Sequence, residues 1–316
     1  ESKMLKTIDR AGAMGILHRY MSEEDSVAHL ERAELSGPIS AAVGLLKTDK
    51  RRIDLLIEKF AETNRLWLCV DVAHGHTRET ADTIKYIKQK NEGIFVIAGN
   101  VATPDGFNYL AAAGADAIRV GIGGGSVCST RIKTGCGMPT FHSVLMCSQG
   151  SMYPNCKIIA DGGIRTPGDA AKAFGAGAHA IMIGGMLAGT DATPQWEPGM
   201  RKYAQMHNID PDNFLNKLAN YLDFGLPELE YRGMASAEAR KAFGKTGSMA
   251  EGVSRKVRAK LSGSTLEVVK SIEEGVQSAC SYSGAFDIPE FQQVVKFIRI
   301  SSLAVHENAP HFVDKG

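Results

Sequence analysis

The sequence predicts an α/β fold, a (β/α)8 barrel in which each parallel strand leads into a helix. Two observations predict it: short apolar runs recur, each followed by a polar, helix-compatible stretch, and one such unit is repeated. Four to six apolar residues without alternation are typical of a parallel strand buried on both faces. Seven units in succession favour a barrel over a sandwich. The runs are 13–17, 39–43, 66–70, 94–98, 117–120, 157–160 and 180–183.

An internal repeat supports this architecture. Residues 99–121 and 162–184 share their Gly, Thr-Pro, Gly-Ala and Ala-Ile positions. In each copy a Thr (Thr103 or Thr166) precedes a Pro and so predicts a helix N-cap, and a Gly ends the helix before the next strand. Any strand–helix unit can use the same punctuation, so the repeat indicates architecture rather than ancestry.

We expect one catalytic domain over residues 1–316. Only seven strands are visible and the chain opens on an apparent helix, so we expect a first strand upstream of Glu1. Residues 192–230 predict helical or irregular structure and a possible insertion. Residues 231–265 are rich in Gly, Ser, Lys and Arg and predict a mobile active-site flap, followed by a helix over 266–279.

Composition excludes several classes of partner. The chain has 36 basic and 35 acidic side chains, a net charge of +1, which gives no reason to expect nucleic acid or an anionic membrane. No apolar run approaches the roughly 20 residues of a membrane span, and the start lacks a secretory signal, so we expect a cytoplasmic protein. The 6 cysteines show no paired spacing and predict free thiols.

The strongest chemical signal is the stretch from Gly121 to Arg131, which we call the Cys128 loop. It follows the predicted strand 117–120, at the end of the barrel that carries active sites. Its glycines allow backbone groups to converge on a ligand. Cys128 is a candidate nucleophile, and the nearby Arg131 could favour its thiolate form. The alternative is a buried, unreactive thiol on a tight turn.

Glycine pairs follow the next two strands. Asp161-Gly162-Gly163 and Gly184-Gly185 stand where barrels bind phosphate through loop amides, and Asp161 could accept hydrogen bonds from ribose hydroxyls. On their own these residues predict only a phosphorylated ligand, and flavin-dependent barrels show a similar pattern. Glycines that serve turns alone are the other interpretation.

Two further groups have open interpretations. The stretch from Asp71 to His76 ends another strand and could bind a metal, although a structural cluster is the simpler reading. Glu251 could act as a general acid or base, or be a solvated loop carboxylate.

Motifs follow one another in a characteristic order over almost the whole chain. They are His18-Arg19, residues 71–75, Gly99-Asn100-Val101, the Cys128 loop, residues 161–163, Gly184-Gly185, residues 231–234 and Glu251-Gly252. In this set and order the chain resembles the family of inosine monophosphate dehydrogenase and guanosine monophosphate reductase.

The resemblance implies that the Cys128 thiolate adds to C2 of a purine nucleotide, GMP or IMP, and forms a thioimidate. In the reductase, ammonia leaves from GMP and a hydride from NADPH then reaches C2, which releases IMP. In the dehydrogenase, IMP gives a hydride to NAD and water hydrolyses the adduct to XMP.

The resemblance also implies residue roles. Catalysis would use Cys128, Thr130 and Glu251. The substrate would be bound by Ser126, Asp161, Gly162, Gly163, Gly184, Gly185, Tyr231, Gly233, Met234 and Gly252. The cofactor would be bound by Arg19, Asp71, Val72, Ala73, Asn100, Ser278 and Ser281, the two serines reaching a neighbouring subunit of a homotetramer. Backbone carbonyls of Gly123, Gly125 and Cys128 would hold K⁺.

The branch of the family is predicted from the flap. Dehydrogenases of the family carry an Arg-Tyr pair that activates the hydrolytic water, and none stands between Met234 and Glu251. The short flap, residues 184–189 and the lack of an inserted regulatory CBS-type module also resemble the reductase. Residues 71–76 and Gly189-Thr190 are more similar to dehydrogenases. We therefore predict a GMP reductase, with IMP dehydrogenase as the alternative.

Three positions depart from the family pattern. Gly124 stands where Pro or Ser is usual, Thr140 where Gln often follows the proline, and Ser248 where a reductase normally has an Arg that contacts nucleotide and cofactor. Two alternatives from other classes remain at this point, a flavin-dependent barrel and a nonenzymatic nucleotide-binding protein.

Overall fold

The computed structural model describes residues 1–216, 226–232, 236, 252–261 and 263–302. Its centre is a curled parallel sheet of six strands in the order β1-β2-β3-β4-β5-β6, a half-barrel, which confirms the predicted α/β class. In the described part of the chain β1 and β6 do not pair with each other. The strands are β1 Ile39–Val43, β2 Leu66–Asp71, β3 Phe95–Val101, β4 Ala117–Val120, β5 Lys157–Asp161 and β6 Ala180–Met182.

Helices connect the strands and cover the sheet. The first ten described helices are α1 Ser2–Arg10, α2 Glu23–Ala33, α3 Leu46–Phe60, α4 Arg78–Lys90, α5 Pro104–Ala112, α6 Thr130–Thr134, α7 Thr140–Gly150, α8 Pro167–Gly175, α9 Trp196–Met206 and α10 Pro211–Asn216. Ile53, Ile84 and Phe107 on α3, α4 and α5 are fully buried in one cluster with strand residues such as Leu68. Burial of about 1.5–3 kcal/mol per such side chain holds the helices on the sheet.

The predicted helix starts are confirmed. The hydroxyls of Thr103 and Thr166 accept hydrogen bonds from the backbone N–H groups of Gly106 and Asp169, at 3.3 and 3.1 Å. The carboxylate of Asp169 in turn accepts from the N–H of Thr166, which completes a capping box. Both helices therefore begin directly after the carboxyl ends of β3 and β5, where the cleft lies.

The first predicted strand, residues 13–17, is wrong as a strand. The chain uses Gly12 and Ala13 to end α1, since their N–H groups donate to the carbonyls of Asp9 and Ile8. Only Leu17 then reaches the edge of β1, where it forms a single parallel bridge with Ala41. The apolar run next to the end of α1 thus predicts a full strand where the structure has a single bridge.

Beyond β6 a second, smaller core forms. The strands β7 Glu228–Arg232 and β8 Ser254–Arg258 pair as an antiparallel hairpin. Leu229 and Val257 of this hairpin pack against Trp196, Met200 and Phe214 of α9 and α10. Residues 192–230 thus contain helices, as expected, whereas most of the predicted flap, 233–235, 237–251 and 262, lies outside the described residues.

The remaining described helices are α11 Ser264–Ser283 and α12 Ile288–Val294. The first confirms the helical spacing of residues 266–279, and it packs mainly on α8. Across the ranges that the structure describes, no helix combines the length and the apolar character that crossing a membrane requires.

Candidate active site

A cleft of ≈ 950 Å³ lies at the carboxyl ends of the parallel strands. Because these ends share one edge of the curled sheet, residues distant in sequence meet there. The predicted residues that line it are Arg19, Asp71, Val72, Ala73, Asn100, Gly123, Gly125, Ser126, Cys128, Thr130, Asp161, Gly162, Gly163, Gly184, Gly185, Tyr231 and Gly252.

A few predicted residues are elsewhere. Ser278 and Ser281 lie on α11 and do not line the cleft, and the hydroxyl of Ser278 donates to the carbonyl of Glu274, one turn earlier. Gly233, Met234 and Glu251 lie outside the described residues. The role of Glu251 as the proton-transfer partner of Thr130 therefore stays a prediction.

The Cys128 loop places a thiol and a hydroxyl side by side. Sγ of the half-buried Cys128 lies 3.2 Å from Oγ1 of Thr130. The loop is closed by a hydrogen bond from the N–H of Cys128 to the carbonyl of Gly125, at 3.1 Å. It is also tied to the segment before β8, since the N–H of Val253 donates to the carbonyl of Val127 at 2.9 Å. A nucleophile and a proton-carrying group thus face the same cleft.

Arg131 has a different role from the one expected. Its Nη2 donates to the carbonyl of Ile122 at 3.1 Å and also to the carbonyl of Met138. The structure describes both Arg131 and Cys128, and these two residues are not hydrogen-bonded to each other. The guanidinium therefore stabilises the loop by joining its two ends, and the interpretation that it favours the Cys128 thiolate finds no contact in its support.

Hydroxyls and backbone converge at the other end of the cleft. The hydroxyl of Ser126 lies against Gly185, and that of Tyr231 lies near Gly184. A short 3₁₀ turn, Gly185–Leu187, begins at this point, and the N–H groups of Gly185 and Met186 donate to no acceptor among the residues that the structure describes. This arrangement suits a phosphate group.

A charged cluster joins the two sides of the cleft. Arg119, in the middle of β4, donates from Nη1 to Oδ1 of Asp71 at 2.5 Å and from Nη2 to Oδ2 of Asp161 at 2.8 Å. Asn100 donates from Nδ2 to the same oxygen of Asp161 at 2.7 Å. Burial raises the pKa of Asp71, but the charge and hydrogen bond of Arg119 outweigh it and leave that pKa below its ordinary value.

Sequence reasoning missed Arg119. Arg119 contacts two predicted site residues and lines the cleft. In the sequence it stands inside the apolar run 117–120, and that run predicts only a strand. A signal was present, because a charged side chain within a buried strand needs a charged or polar partner. The identity of that partner depends on long-range strand pairing.

The residues 71–76 do not form a metal site. Asp71 pairs with Arg119, and the ring of His76 packs on Tyr109 at 4.9 Å between centroids. Within the described residues no group of three or more His, Cys, Asp or Glu side chains is arranged to hold a metal ion. The simpler reading of a structural cluster fits these contacts.

The cysteines should differ in reactivity. Burial raises the pKa of the Cys69 thiol to about 11 and those of Cys147 and Cys156 to about 12, so these thiols carry almost no thiolate near neutral pH. We expect iodoacetamide at about pH 8 to label the exposed Cys136 and the half-buried Cys128 first, as read by peptide mass spectrometry. Labelling of Cys147 in the folded protein at a similar rate would contradict the burial described here.

Comparison with known proteins identifies the family. The family described as IMP dehydrogenase / GMP reductase domain matches residues 1–203 and 223–311. The chain therefore belongs to this family. This agrees with the resemblance found in the motifs.

Individual relatives carry both names of the family. The inosine-5'-monophosphate dehydrogenase of Chlorobaculum parvum is 36% identical over 275 residues, which cover 87% of this chain and 52% of that protein. The GMP reductase of Leishmania donovani is 32% identical over 282 residues, covering 88% and 53%. The chain thus spans about half the length of these relatives.

A solved structure shows a similar fold. GMP reductase from Trypanosoma brucei, in complex with guanosine 5'-monophosphate, superposes with a TM-score of 0.73 at 33% sequence identity. The match covers 89% of this chain and 53% of that one. The described part of this chain therefore has a fold similar to that of a solved member of the family.

Proposed function

We propose that this protein is a GMP reductase, which converts GMP, NADPH and protons into IMP, ammonium and NADP⁺. The observation that carries the proposal is the flap sequence: the residues from Ala235 to Ala250 hold no Arg-Tyr pair. In the dehydrogenases of the family that pair activates the water that hydrolyses the adduct. Without it, reduction of the adduct is the outcome that the chain's own residues favour.

The reaction begins at Cys128. Its thiolate attacks C2 of GMP, and the amine at C2 takes up a proton and leaves as ammonia, which gives a thioimidate on Sγ. Thr130 is the group in place for this proton movement, because its hydroxyl lies 3.2 Å from the sulfur. Hydride addition at C2 followed by loss of the sulfur then releases IMP and restores the free thiol.

The nucleotide is held by two sets of groups. Asp161 uses Oδ2 for hydrogen bonds from Asn100 and Arg119, and among the described residues its Oδ1 accepts none, so this oxygen is available to ribose hydroxyls. The phosphate would lie at Ser126, Gly184 and Tyr231. A nucleotide held in this way would have C2 of its base on the side of Cys128, which lines the same cleft.

The remaining part of the cleft suits a nicotinamide cofactor. The volume of ≈ 950 Å³ lies at the upper end of the range for small-molecule sites, and Asp71, Asn100 and Arg19 line it beyond the nucleotide side. Nε of Arg19 is buried without a hydrogen-bond partner in the part of the chain that the structure describes, so a donor is available to a ligand. NADPH bound there would supply the hydride.

A homotetramer, which the family resemblance implies, stays a prediction. We also propose a K⁺ site on the Cys128 loop. The donor set is suitable, because backbone carbonyls replace the hydration shell of K⁺. The carbonyls of Gly123 and Cys128 accept no hydrogen bond from the described residues, while that of Gly125 already accepts one from Cys128. Bound K⁺ would hold the loop in the shape that presents the sulfur.

A paired assay tests the proposed activity. We expect purified protein to oxidise NADPH in the presence of GMP and to release ammonia. The loss of NADPH absorbance measures the first, and a separate ammonia assay measures the second. The control is the opposite pair, IMP with NAD. Turnover of IMP with NAD, and none of GMP with NADPH, would reject the reductase.

IMP dehydrogenase is the second candidate. The observation in its favour is the 36% identity to a relative of that name, together with the similarity of residues 71–76 to dehydrogenases. It requires a water-activating group in place of the Arg-Tyr pair, and XMP formation by the same protein would establish it.

A further inference from the structure

We propose that Arg119 is a positioning residue that ties the nucleotide side of the cleft to the cofactor side, so that each ligand binds more tightly when the other is present. The inference rests on the proposed function, because it takes Asp161 as a nucleotide-binding residue and Asp71 as a cofactor-binding residue. It adds a link between the two sites that depends on one guanidinium.

The strand register brings the three side chains together. Asp71 on β2 pairs with Gly99 on β3, and Gly99 pairs with Arg119 on β4. A Cβ at Gly99 would lie 2.7 Å from Cβ of Arg119, so any larger residue there would collide with it. Because β3 has no side chain at this point, Arg119 can extend across it and reach Asp71, two strands away.

The hydrogen bonds leave one oxygen of each carboxylate for a ligand. Arg119 donates from Nε and Nη2 to Oδ2 of Asp161, at 3.1 and 2.8 Å, and from Nη1 to Oδ1 of Asp71. Within the described residues, Oδ1 of Asp161 and Oδ2 of Asp71 accept no hydrogen bond. The planar guanidinium therefore fixes the orientation of both carboxylates while each keeps an acceptor for its own ligand.

The position of the cluster indicates function rather than stability. Buried ion pairs contribute little net stability, because desolvation offsets the attraction. Here the side chain of Arg119 is 13% exposed and that of Asp71 32% exposed, and both line the cleft. A ligand that orders one carboxylate restricts the guanidinium, and the second carboxylate is then already ordered for the other ligand.

Binding measurements test the link without turnover. The cycle is measured in the Cys128→Ala background, where GMP cannot form the adduct, and GMP and NADP⁺ cannot exchange a hydride, so calorimetry gives the Kd of each ligand alone and with the other at saturation. With Arg119 in place we expect each ligand to tighten the other by about 5-fold or more. In Arg119→Lys, which keeps the charge but loses the planar fork, the factor should fall to about 1.

A cross effect provides the second arm. Asp71→Asn removes a charge on the cofactor side, yet we expect it to weaken GMP binding by about 3-fold or more, and this effect should disappear in the Arg119→Lys background. Arg119→Lys is used rather than Arg119→Met because it keeps a positive charge beside the two carboxylates, whereas loss of that charge would leave them buried and unpaired. The matched control is Arg65→Lys, the same substitution at a half-buried arginine that stands just before β2, donates to the carbonyl of Leu35 at 2.7 Å and does not line the cleft, so it should leave the coupling unchanged.

The outcomes are distinct. Retention of the full coupling in Arg119→Lys, or an equal loss in Arg65→Lys, would overturn the inference and leave Arg119 a structural residue. Failure of the proposed function looks different, since NADPH is then not oxidised with GMP, while the binding cycle, repeated with IMP and NADH, which cannot exchange a hydride, still reports on Arg119.

Discussion

Replacement of Cys128 by alanine is expected to lower kcat for GMP reduction by at least about 10³-fold, because among the described residues that line the cleft only Cys128 has a thiol to form the bond to C2. Binding of GMP should persist, since the contacts proposed for ribose and phosphate come from Asp161, Ser126 and Tyr231. Steady-state NADPH oxidation measures the first effect and calorimetry with GMP the second. Intact-protein mass spectrometry during turnover should detect the adduct in the wild type only.

The control for this variant is Cys136→Ala. Cys136 is exposed, does not line the cleft and lies just after α6, so its loss should change kcat by no more than about two-fold. Residual turnover of Cys128→Ala within ten-fold of the wild type would show that the reaction does not pass through this sulfur.

Substitution of Gly121 by alanine is expected to be the most damaging single-methyl change in the site. Gly121 has φ of +142° at the end of β4, and a Cβ there would lie 2.1 Å from the carbonyl oxygen of Asp161. Neither backbone can move without shifting the Cys128 loop or the loop at Asp161. We expect a loss of about 3 kcal/mol in the free energy of unfolding and at least about 100-fold in kcat/KM.

Urea denaturation and NADPH oxidation measure the two effects. The matched variant is Gly284→Ala at the end of α11, where φ is +72° and no atom lies within 4 Å of the added Cβ. This variant has the backbone strain without the collision. It should therefore lower the free energy of unfolding by only about 1 kcal/mol and leave activity intact. Equal destabilisation by both substitutions would mean that the contact between the two loops is looser than described.

Much of the fold could be predicted because local patterns determined it. Six apolar runs became the six parallel strands, and the Thr-Pro starts at residues 103 and 166 became capped helices. The run at residues 13–17 failed because neighbouring residues are needed to end α1. Apolar composition indicates burial, and it does not by itself distinguish a strand from a segment that makes one bridge.

The cleft residues could be predicted from glycine-rich motifs and the family resemblance, and the charged cluster could not. Arg119 gives no motif of its own, and its partners come from β2 and β5, far away in sequence. Closeness in sequence predicts that Arg131 favours the thiolate form of Cys128. In the structure its guanidinium instead donates to the carbonyl of Ile122 in the same loop. Side-chain pairing of this kind depends on three-dimensional register.

The hairpin β7–β8 belongs to a part of the protein that can open locally. Its buried residues form a cluster with α9 and α10 that is separate from the large cluster under the parallel sheet. Sub-global opening of this unit therefore exposes few apolar side chains and leaves the sheet intact. Amides of residues 228–232 and 254–258 should exchange with solvent deuterium sooner than those of β2 and β3, although Tyr231 of the hairpin lines the same cleft as the ends of these strands.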